Sequence, residues 1–597
     1  MIDNIFGHLT DADLRLATHR EMLGGVRHFH RTLPSDPLPG QPLSFFLTTS
    51  GPQPFDAANL LYTLDDSDPA DGEPGRLELT PEDVEWDEVD WRYVRRWRGT
   101  LPAQPAGTMI RYHLAAHVAG TGHWIFADNQ AESATQATDF AVYVDNDPSP
   151  AWARDALVYQ IFVDRFNPGA GRPWNKPTQL DGFFGGTLKG VIEKLDYIQS
   201  LGFNAIWLSP FFTTTSHHGY NASDYYTVEP RYGTNQELKE LINEAHARGM
   251  HMVLDFVANH WSKDHPTFRD AQANPDSPYR DWYIWNHWPD DYECYFNVRE
   301  LPKLNLLPGD ARAEMLRVAQ HWLREGFDGY RLDFAFGPPH DFWADFRRAC
   351  HAVKPEAWIF GEIIHTAAVQ RSFIGRMDGT LDFLLTRALR ETFGFGRMSL
   401  NEFEAFLSGH ESYFPSQDEF SRPSFLDNHD MSRFYYIAGE SKGLLEIAAL
   451  VMYALSGSPI VYNGTEAGVS QERPMQQGNR YVFEEARLPM NWDDQDGELL
   501  AYFRRLGTLR TAFPVLREGR RTLLHVDSNR RTYAFAREDD TAGVIIALNL
   551  SDSAQALSLP IGRFAAEALD RLNGHPVVVH PDSVKVTLPG RGCSFIA

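Results

Sequence analysis

From Leu157 to about Ala512 short apolar strands alternate with amphipathic helices, and no other feature restricts the fold of this chain so strongly. LVYQIFVDRF is followed by the helical pattern TLKGVIEKLDYIQSLG, NAIWLSP by a helix over 235–248, and HMVLDFVANH, after an irregular stretch, by AEMLRVAQHWLREG. DGYRLDFAF, WIFGEI, the DFLL region, PSFLDNHD and SPIVYNGTEAG continue the count to eight strand candidates. Strands that alternate with helices pair in parallel, and eight such units close into a (β/α)8 TIM barrel. The stretch after strand 3, about 261–308, is too long for a simple loop and predicts a small inserted domain.

The texture on either side is different. Between Leu43 and Val144, LSFFLTT, ANLLYTL, TMIRYHLAAHV, HWIFAD and ATDFAVYV are separated by Gly, Pro, Asn and Asp. After about Arg517, RTLLHV, TYAFARE, AGVIIALNL, ALSLP, VKVTL and CSFIA follow the same habit. The expected architecture is a multidomain α/β chain. An N-terminal antiparallel β-sandwich (1–148) precedes the barrel (149–512), and a C-terminal antiparallel β-sandwich (513–597) follows it. A formal charge of −25 over 597 residues repels nucleic acid and anionic membranes. No run of about 18 apolar residues predicts a membrane span. Three distant cysteines (Cys294, Cys350 and Cys593) form neither a disulfide framework nor a metal motif. With no apolar leader pattern in MIDNIFGHLTDADLRLATHREML, the expected location is the cytoplasm.

Chemistry in such barrels collects at the C-terminal ends of the strands. Asp255, Asn259 and His260 end strand 3, Arg331 and Asp333 end strand 4, Glu362 ends strand 5, and His429 and Asp430 end strand 7. Any one of these is more simply a helix cap or an ion-pair partner; the whole set at successive strand ends is not. Two carboxylates on neighbouring strands can flank one glycosidic bond, about 5 Å apart in enzymes that retain anomeric configuration. Arg331, two residues before Asp333 and on the same side of the strand, favours its anion, the form a nucleophile needs. Glu362 has no cation in its own motif and is expected to keep its proton as the acid. Asp430 adds a charge that supports that protonation, and His260 and His429 are donors to sugar hydroxyls.

These motifs together resemble glycoside hydrolase family 13, the α-amylase superfamily. DFVANH (255–260), GYRLDFA (329–335), GEI (361–363) and FLDNHD (425–430) look like its four signature regions. GFNAIWLSP, HHGYNASDYY, LPKLN and NGTEAG agree with them. The resemblance implies Asp333 as nucleophile, Glu362 as acid/base and Asp430 as transition-state stabiliser. It further implies Arg331 as the arginine that orients the nucleophile, and His260, His429 and a stacking Tyr220 as sugar-binding residues. Asp255 and Asn259 are supporting residues in this pattern. LPKLN and the run Arg487–Trp492 look most like cyclomaltodextrinases, neopullulanases and maltogenic amylases. That likeness implies short or cyclic maltodextrin substrates and a homodimer formed through a carbohydrate-binding-module-like N-terminal domain. Trp86, Trp91, Trp97 and Trp124 there could bind glucan, but packing in the core or at an interface is the favoured role.

The pattern is broken in two places. After Asp333 the subgroup reads Val-Ala-Asn-Glu, whereas this chain has Phe334, Ala335, Phe336 and Gly337, so its acceptor side differs. A calcium site near the first strand uses carboxylates in relatives; here the residues are FNPGAGRPW and Thr187, so no metal or other cofactor is expected. The segment 470–486, after strand 8, looks extended and falls on the same rim. The alternative functions are a glucanotransferase, a sucrose- or trehalose-converting enzyme, an α-amylase or oligo-1,6-glucosidase, and last a non-catalytic glucan-binding protein. The presence of Asp333, Glu362 and Asp430 argues against the last.

Overall fold

A computed structural model describes residues 4–6, 11–146, 149–478, 480–560 and 568–597. Its centre is an eight-stranded parallel sheet. In chain order the strands are β1 (Val158–Ile161), β2 (Ala205–Leu208), β3 (His251–Val257), β4 (Gly329–Asp333), β5 (Trp358–Gly361), β6 (Gly379–Thr380), β7 (Ser424–Phe425) and β8 (Pro459–Tyr462). Each pairs with its sequence neighbour, and β8 pairs with β1. The ring closes between β6 and β7, where Thr380 N–H donates to Ser421 O (3.0 Å) and Asp382 N–H to Pro423 O (2.9 Å). The expected TIM barrel with its flanking β-domains is therefore the fold.

Two local expectations need correction. DFLL is not strand 6: the Asp382 side chain accepts from Leu385 N–H (2.9 Å) and caps the helix Phe383–Leu389, so the chain turns helical where the apolar run begins. The run TLKGVIEKLDYIQSLG forms two short helices, Leu188–Ile192 and Leu195–Ser200, broken at Glu193 and Lys194.

The N-terminal domain is built of two antiparallel layers that share the long strand Gly75–Asp87, which pairs with Phe55–Thr63 at one end and Arg92–Leu101 at the other. Phe45, Leu47, Leu60, Trp97, Ile110, Leu114 and Val142 fill the space between the layers. The hairpin Gly75–Asp87/Arg92–Leu101 is absent from the sequence reading, because its charged texture hides the period-two pattern. Residues 147 and 148, where the domain boundary is expected, lie outside the described residues. The sandwich rests on the helix His340–His351: Arg347 there bonds Asp145 (2.8 Å), and Asp345 bonds Arg111 (2.9 Å). C-terminal to the barrel, a six-stranded and a three-stranded layer enclose Ile545, Ala547, Leu559, Val584 and Ile596. Among the described residues no helix is long and apolar enough to cross a membrane.

The loops after β2 and β3 build the rim. After β2, a hairpin of Phe212–Thr214 and Ala222–Val228 presents the turn that carries Tyr220. After β3, the insertion contains the helix Pro266–Ala273 and the ladder Trp285–His287/Asp291–Tyr292, and bridges back through His260 and Lys303.

At the opposite end of the barrel Asp328 ties three elements together. It accepts from His246 (2.8 Å), Met252 N–H (2.7 Å) and Lys354 (2.5 Å). Burial alone would raise its carboxyl; the two nearby histidines, Lys354 and the Met252 amide outweigh this and hold it well below the usual carboxylate range. A depressed folded-state value stabilises the fold above the unfolded value of about 3.9 and is lost as pH falls below it. Asp328→Asn should therefore move the urea midpoint to lower denaturant at pH 7, by about 3 kcal/mol. The gap to wild type should shrink on acidification below about pH 4; a constant gap would refute the assignment.

Candidate active site

The register of the barrel brings the strand-end residues together. β3 and β4 pair Asp255 with Arg331 and Val257 with Asp333, and β4 and β5 pair Leu332 with Gly361, so Glu362 follows beside Asp333. The Arg331 side chain has no solvent exposure. Its Nη1 donates to Asp255 Oδ1 (2.8 Å) and Asp333 Oδ1 (3.0 Å). Its Nη2 lies 2.7 Å from Glu362 Oε1, close in distance but off the hydrogen-bond line. Both carboxylates thus sit on one rigid guanidinium fork, their nearest oxygens at most about 8 Å apart given those contacts. This corrects the expectation that Glu362 lacks a cation: the strand ladder places Arg331 between the two acids, although in sequence it belongs to one.

Burial pushes Glu362 upward, with Asp430 and Asp255 adding to it against Arg331 and the Phe334 N–H. Burial also pushes Asp333 upward, against Arg331, with Glu362, Asp255 and Asp430 adding. Such a pair titrates as one unit, and it retains a proton well above the ordinary carboxylate range. For Asp430, burial is outweighed by His429, Arg487 and Arg331, which hold it well below that range. Arg487 Nη2 donates to Asp430 Oδ1 (2.7 Å), and His429 Nε2 lies 2.9 Å from Oδ2. Asp333, Glu362 and Asp430 thus converge here with the first two pushed up and the third pushed down.

A second chain of contacts orients the histidine. Gln160 on β1 lies 2.7 Å from His429 Nδ1, and Tyr220 Oη 2.6 Å from its Nε2. Tyr220 O–H donates to Asp255 Oδ2 (2.8 Å), which also accepts from Trp207 Nε1 (3.0 Å). The Tyr220 and His429 rings are stacked, 5.4 Å between centroids and 10° apart. Burial lowers His260 to about 4, so it is neutral, and its Nε2 makes no hydrogen bond within the protein. Asn259 Nδ2 lies 3.2 Å from His260 Nδ1, and the Asn259 backbone carbonyl accepts from Leu304 N–H (2.9 Å), which ties the insertion to the rim. All nine nominated residues therefore lie at one end of the barrel.

Several neighbours escaped the sequence reading. Gln160, a polar residue inside an apolar strand, was a legible signal; Arg487 lay in a noted motif without a role. Tyr295 lies in the irregular insertion, where no period marks it. Its ring lies at the site, 4.7 Å between centroids from His260, and burial, with Asp333, Glu362 and Asp430 adding, raises its hydroxyl. With Phe296 and Phe334 it forms an aromatic wall, ring centroids 4.6–5.2 Å apart, along a cavity of about 620 Å³. The segment 470–486 contributes Glu484, which lies 3.3 Å from Arg487 and 3.6 Å from His217.

The broken sequence after Asp333 has a steric logic. Phe334 adopts a left-handed backbone (φ 40°). A Cβ on Gly337 would lie 2.7 Å from its ring and 2.3 Å from Asn259 Oδ1. No side chain fits at 337 while Phe334 fills that space.

Arg172 donates to Gly169 O (3.3 Å), Pro168 O and Thr187 Oγ1 (3.3 Å), and the Thr187 hydroxyl donates to Pro168 O (3.0 Å). A guanidinium thus binds these oxygens, and Glu193 Oε1 accepts from Ala170 N–H (2.6 Å) in the same loop. Elsewhere among the described residues, Asp68, His113 and Asp139 of the sandwich bring potential donor atoms within 4.8 Å, with His113 and Asp139 already hydrogen-bonded at 2.8 Å.

A family model for the α-amylase catalytic domain matches residues 160–504. Alpha-amylase 2 of Dictyoglomus thermophilum is 38% identical over 419 residues, 70% of this chain and 73% of that relative. Neopullulanase 2 of Thermoactinomyces vulgaris is 31% identical over 461 residues, 74% of this chain and 77% of the relative. A solved cyclomaltodextrinase superposes over 96% of this chain and 100% of its own, with a TM-score of 0.70 at 26% identity.

Gly337→Ala should lower turnover by about tenfold or more, because it displaces Phe334 or Asn259. Adding Phe334→Gly, which removes the ring and suits the left-handed backbone, should recover part of that loss. Equal activity in the single and double variants would show that the two positions are not coupled.

Proposed function

The chain belongs to the α-amylase family of glycoside hydrolases, as a hydrolase of the cyclomaltodextrinase and neopullulanase type, and we propose that it cleaves α-1,4 bonds of short or cyclic maltodextrins with retention. The observation that carries this reading is the Arg331 fork, which holds Asp333 and Glu362 side by side with Asp430 close by.

In this mechanism the pair shares one proton. When substrate enters, Glu362 gives that proton to the glycosidic oxygen and the C1–O bond breaks. An Asp333 carboxylate oxygen, ionised on Arg331, bonds to C1, and the positive charge developing on the sugar favours that ionisation. The shortened glucan departs with the proton. Glu362, now a carboxylate, takes a proton from water as the water oxygen attacks C1. The Asp333–C1 bond breaks, and two inversions give net retention. Asp430, held anionic, accepts hydroxyl hydrogens of the same sugar, and His260 and His429 bind its hydroxyls while Tyr220 stacks beneath it. Transfer differs only in that a sugar hydroxyl replaces water. The Phe334–Gly337 departure lies on the acceptor side, so the partition between the two outcomes is where this chain departs from the subgroup.

The test is a product analysis on β-cyclodextrin, pullulan, starch, isomaltose and trehalose. Linear maltodextrins from the ring and α-configured new ends support the reading; activity confined to trehalose or isomaltose, or inverted products, overturns it. Asp333→Ala should lose at least about 10⁴-fold in turnover with its fold intact. Glu362→Gln should slow maltotriose by about 10³-fold but glucosyl fluoride, whose leaving group needs no proton, by far less. Equal slowing would remove Glu362 from the acid role.

No step requires a metal ion. Millimolar calcium or EDTA should leave the thermal midpoint within about 1 °C of the untreated value, since an ion that binds only the folded form at 100 times its dissociation constant adds about 2.7 kcal/mol. A large rise at micromolar calcium would contradict this.

A further inference from the structure

We propose that Gln160 is a positioning residue that holds the His429 ring neutral, with its one proton on Nε2, so that the ring gives Asp430 and the sugar a donor without giving them a charge. This rests on the glucoside-hydrolase reading of the barrel, in whose steps Gln160 has no part. Gln160 interrupts the apolar strand β1 and is buried there. It pairs across the ladder with Trp207 of β2, so the two side chains point to the same side of the sheet. At the rim Trp207 donates to Asp255, and Gln160 reaches His429. A buried amide weakens an apolar strand, so its presence calls for a task other than packing.

The hydrogens around the ring can be counted. Tyr220 O–H donates to Asp255 Oδ2 (2.8 Å), so its oxygen turns a lone pair to His429 Nε2, 2.6 Å away. Asp430 Oδ2, on a carboxyl held ionised, lies 2.9 Å from the same nitrogen. Two acceptors at one nitrogen require a hydrogen on it. On the other side of the ring the Gln160 amide N–H donates to Nδ1 (2.7 Å), which must therefore offer its lone pair. A hydrogen on Nε2 and a lone pair on Nδ1 make a neutral imidazole in one tautomer. An imidazolium would aim a second N–H at the amide hydrogens.

The neighbouring charges give Gln160 something to oppose. Asp430 on the same loop and Asp255 beyond Tyr220 would draw a second proton to the ring. Arg487, which donates to Asp430 (2.7 Å) and to the His429 carbonyl (2.7 Å), and Arg331 resist it. His218, stacked on Tyr220, is lowered by burial to about 3 and is neutral. Phe162 and Trp207 cover the ring, centroids 5.8 and 6.1 Å away, and neither offers it a hydrogen-bond acceptor. As positive charge develops on the sugar, the Asp430 anion stabilises it. An imidazolium 2.9 Å from Asp430 would cancel much of that field. The effect falls on the transition state, and so on kcat more than on KM.

Spectra and kinetics decide it. In 15N-histidine-labelled protein, the ring signal that disappears in His429→Asn should show one protonated nitrogen, Nε2, at about pH 7. Gln160→Glu puts an acceptor where the donor stood, and there the ring should carry two protons. On maltotriose this variant should lose about 100-fold in kcat at about pH 7 with KM within about threefold. The acid limb of its kcat profile should move up by about one pH unit or more. Gln160→Met, of like length but with neither donor nor acceptor, should lose about tenfold with the limb in place. A wild-type ring protonated on Nδ1 overturns the inference, whether or not the variants fold. So do equal losses in both variants with unmoved limbs, the result of a packing role. If wild type shows the neutral ring but cleaves no maltotriose, the proposed reaction is wrong and the state of the ring stands. If it cleaves with a doubly protonated ring, the reaction stands and the inference falls.

Discussion

A guanidinium with no solvent exposure lies at the mouth of the barrel, and the site depends on how its charge is met. An unpaired buried arginine would be prohibitively unstable. Arg331 is met by Asp255, Asp333 and Glu362 together, and the Trp207 ring lies 5.1 Å from its guanidinium carbon. Three carboxyls share this one cation, and burial, with the neighbouring carboxylates adding to it, keeps a proton on the Asp333–Glu362 pair. The same packing that makes the arginine tolerable therefore also raises both carboxyls. One group ties β3, β4 and β5 at the point where chemistry collects.

Around this centre the barrel divides its labour between its two ends. At the lower end, Asp328 spends its hydrogen bonds on holding helices to strands. At the upper end, polar atoms are satisfied by one another, as in the relay from Gln160 through His429 and Tyr220 to Asp255, or left for a ligand, as with His260 Nε2. The loops that complete the rim come from widely separated parts of the chain: the hairpin after β2, the insertion after β3 and the segment after β8. The last acts through Arg487, which joins Asp430 to Glu484.

The segment after Asp333 shows how departures from a family pattern can compensate one another. Phe334 turns its ring toward the space a side chain at 337 would fill, and Gly337 leaves that space open. Tyr295 and Phe296 then extend the apolar wall from the insertion. The cleft keeps its acids beside a wall of aromatic carbon.

The sequence by itself determined the barrel and the residues of its rim. Strand periodicity, helix amphipathicity and the ends of strands are local properties, and Asp255, Arg331, Asp333, Glu362 and Asp430 each sit at such an end. It could not show that Arg331 reaches Glu362 as well as Asp333, because that contact depends on the register between neighbouring strands. Nor could it place Tyr295, join Arg487 to Asp430, or explain Gly337 by Phe334, since those contacts need irregular loops packed against distant segments. It likewise missed the charged hairpin whose turn leaves Trp91 and Tyr93 in solvent. Periodicity records which face of an element is buried; which distant groups share that burial, and so which charges and rings meet, is settled only when the chain closes on itself.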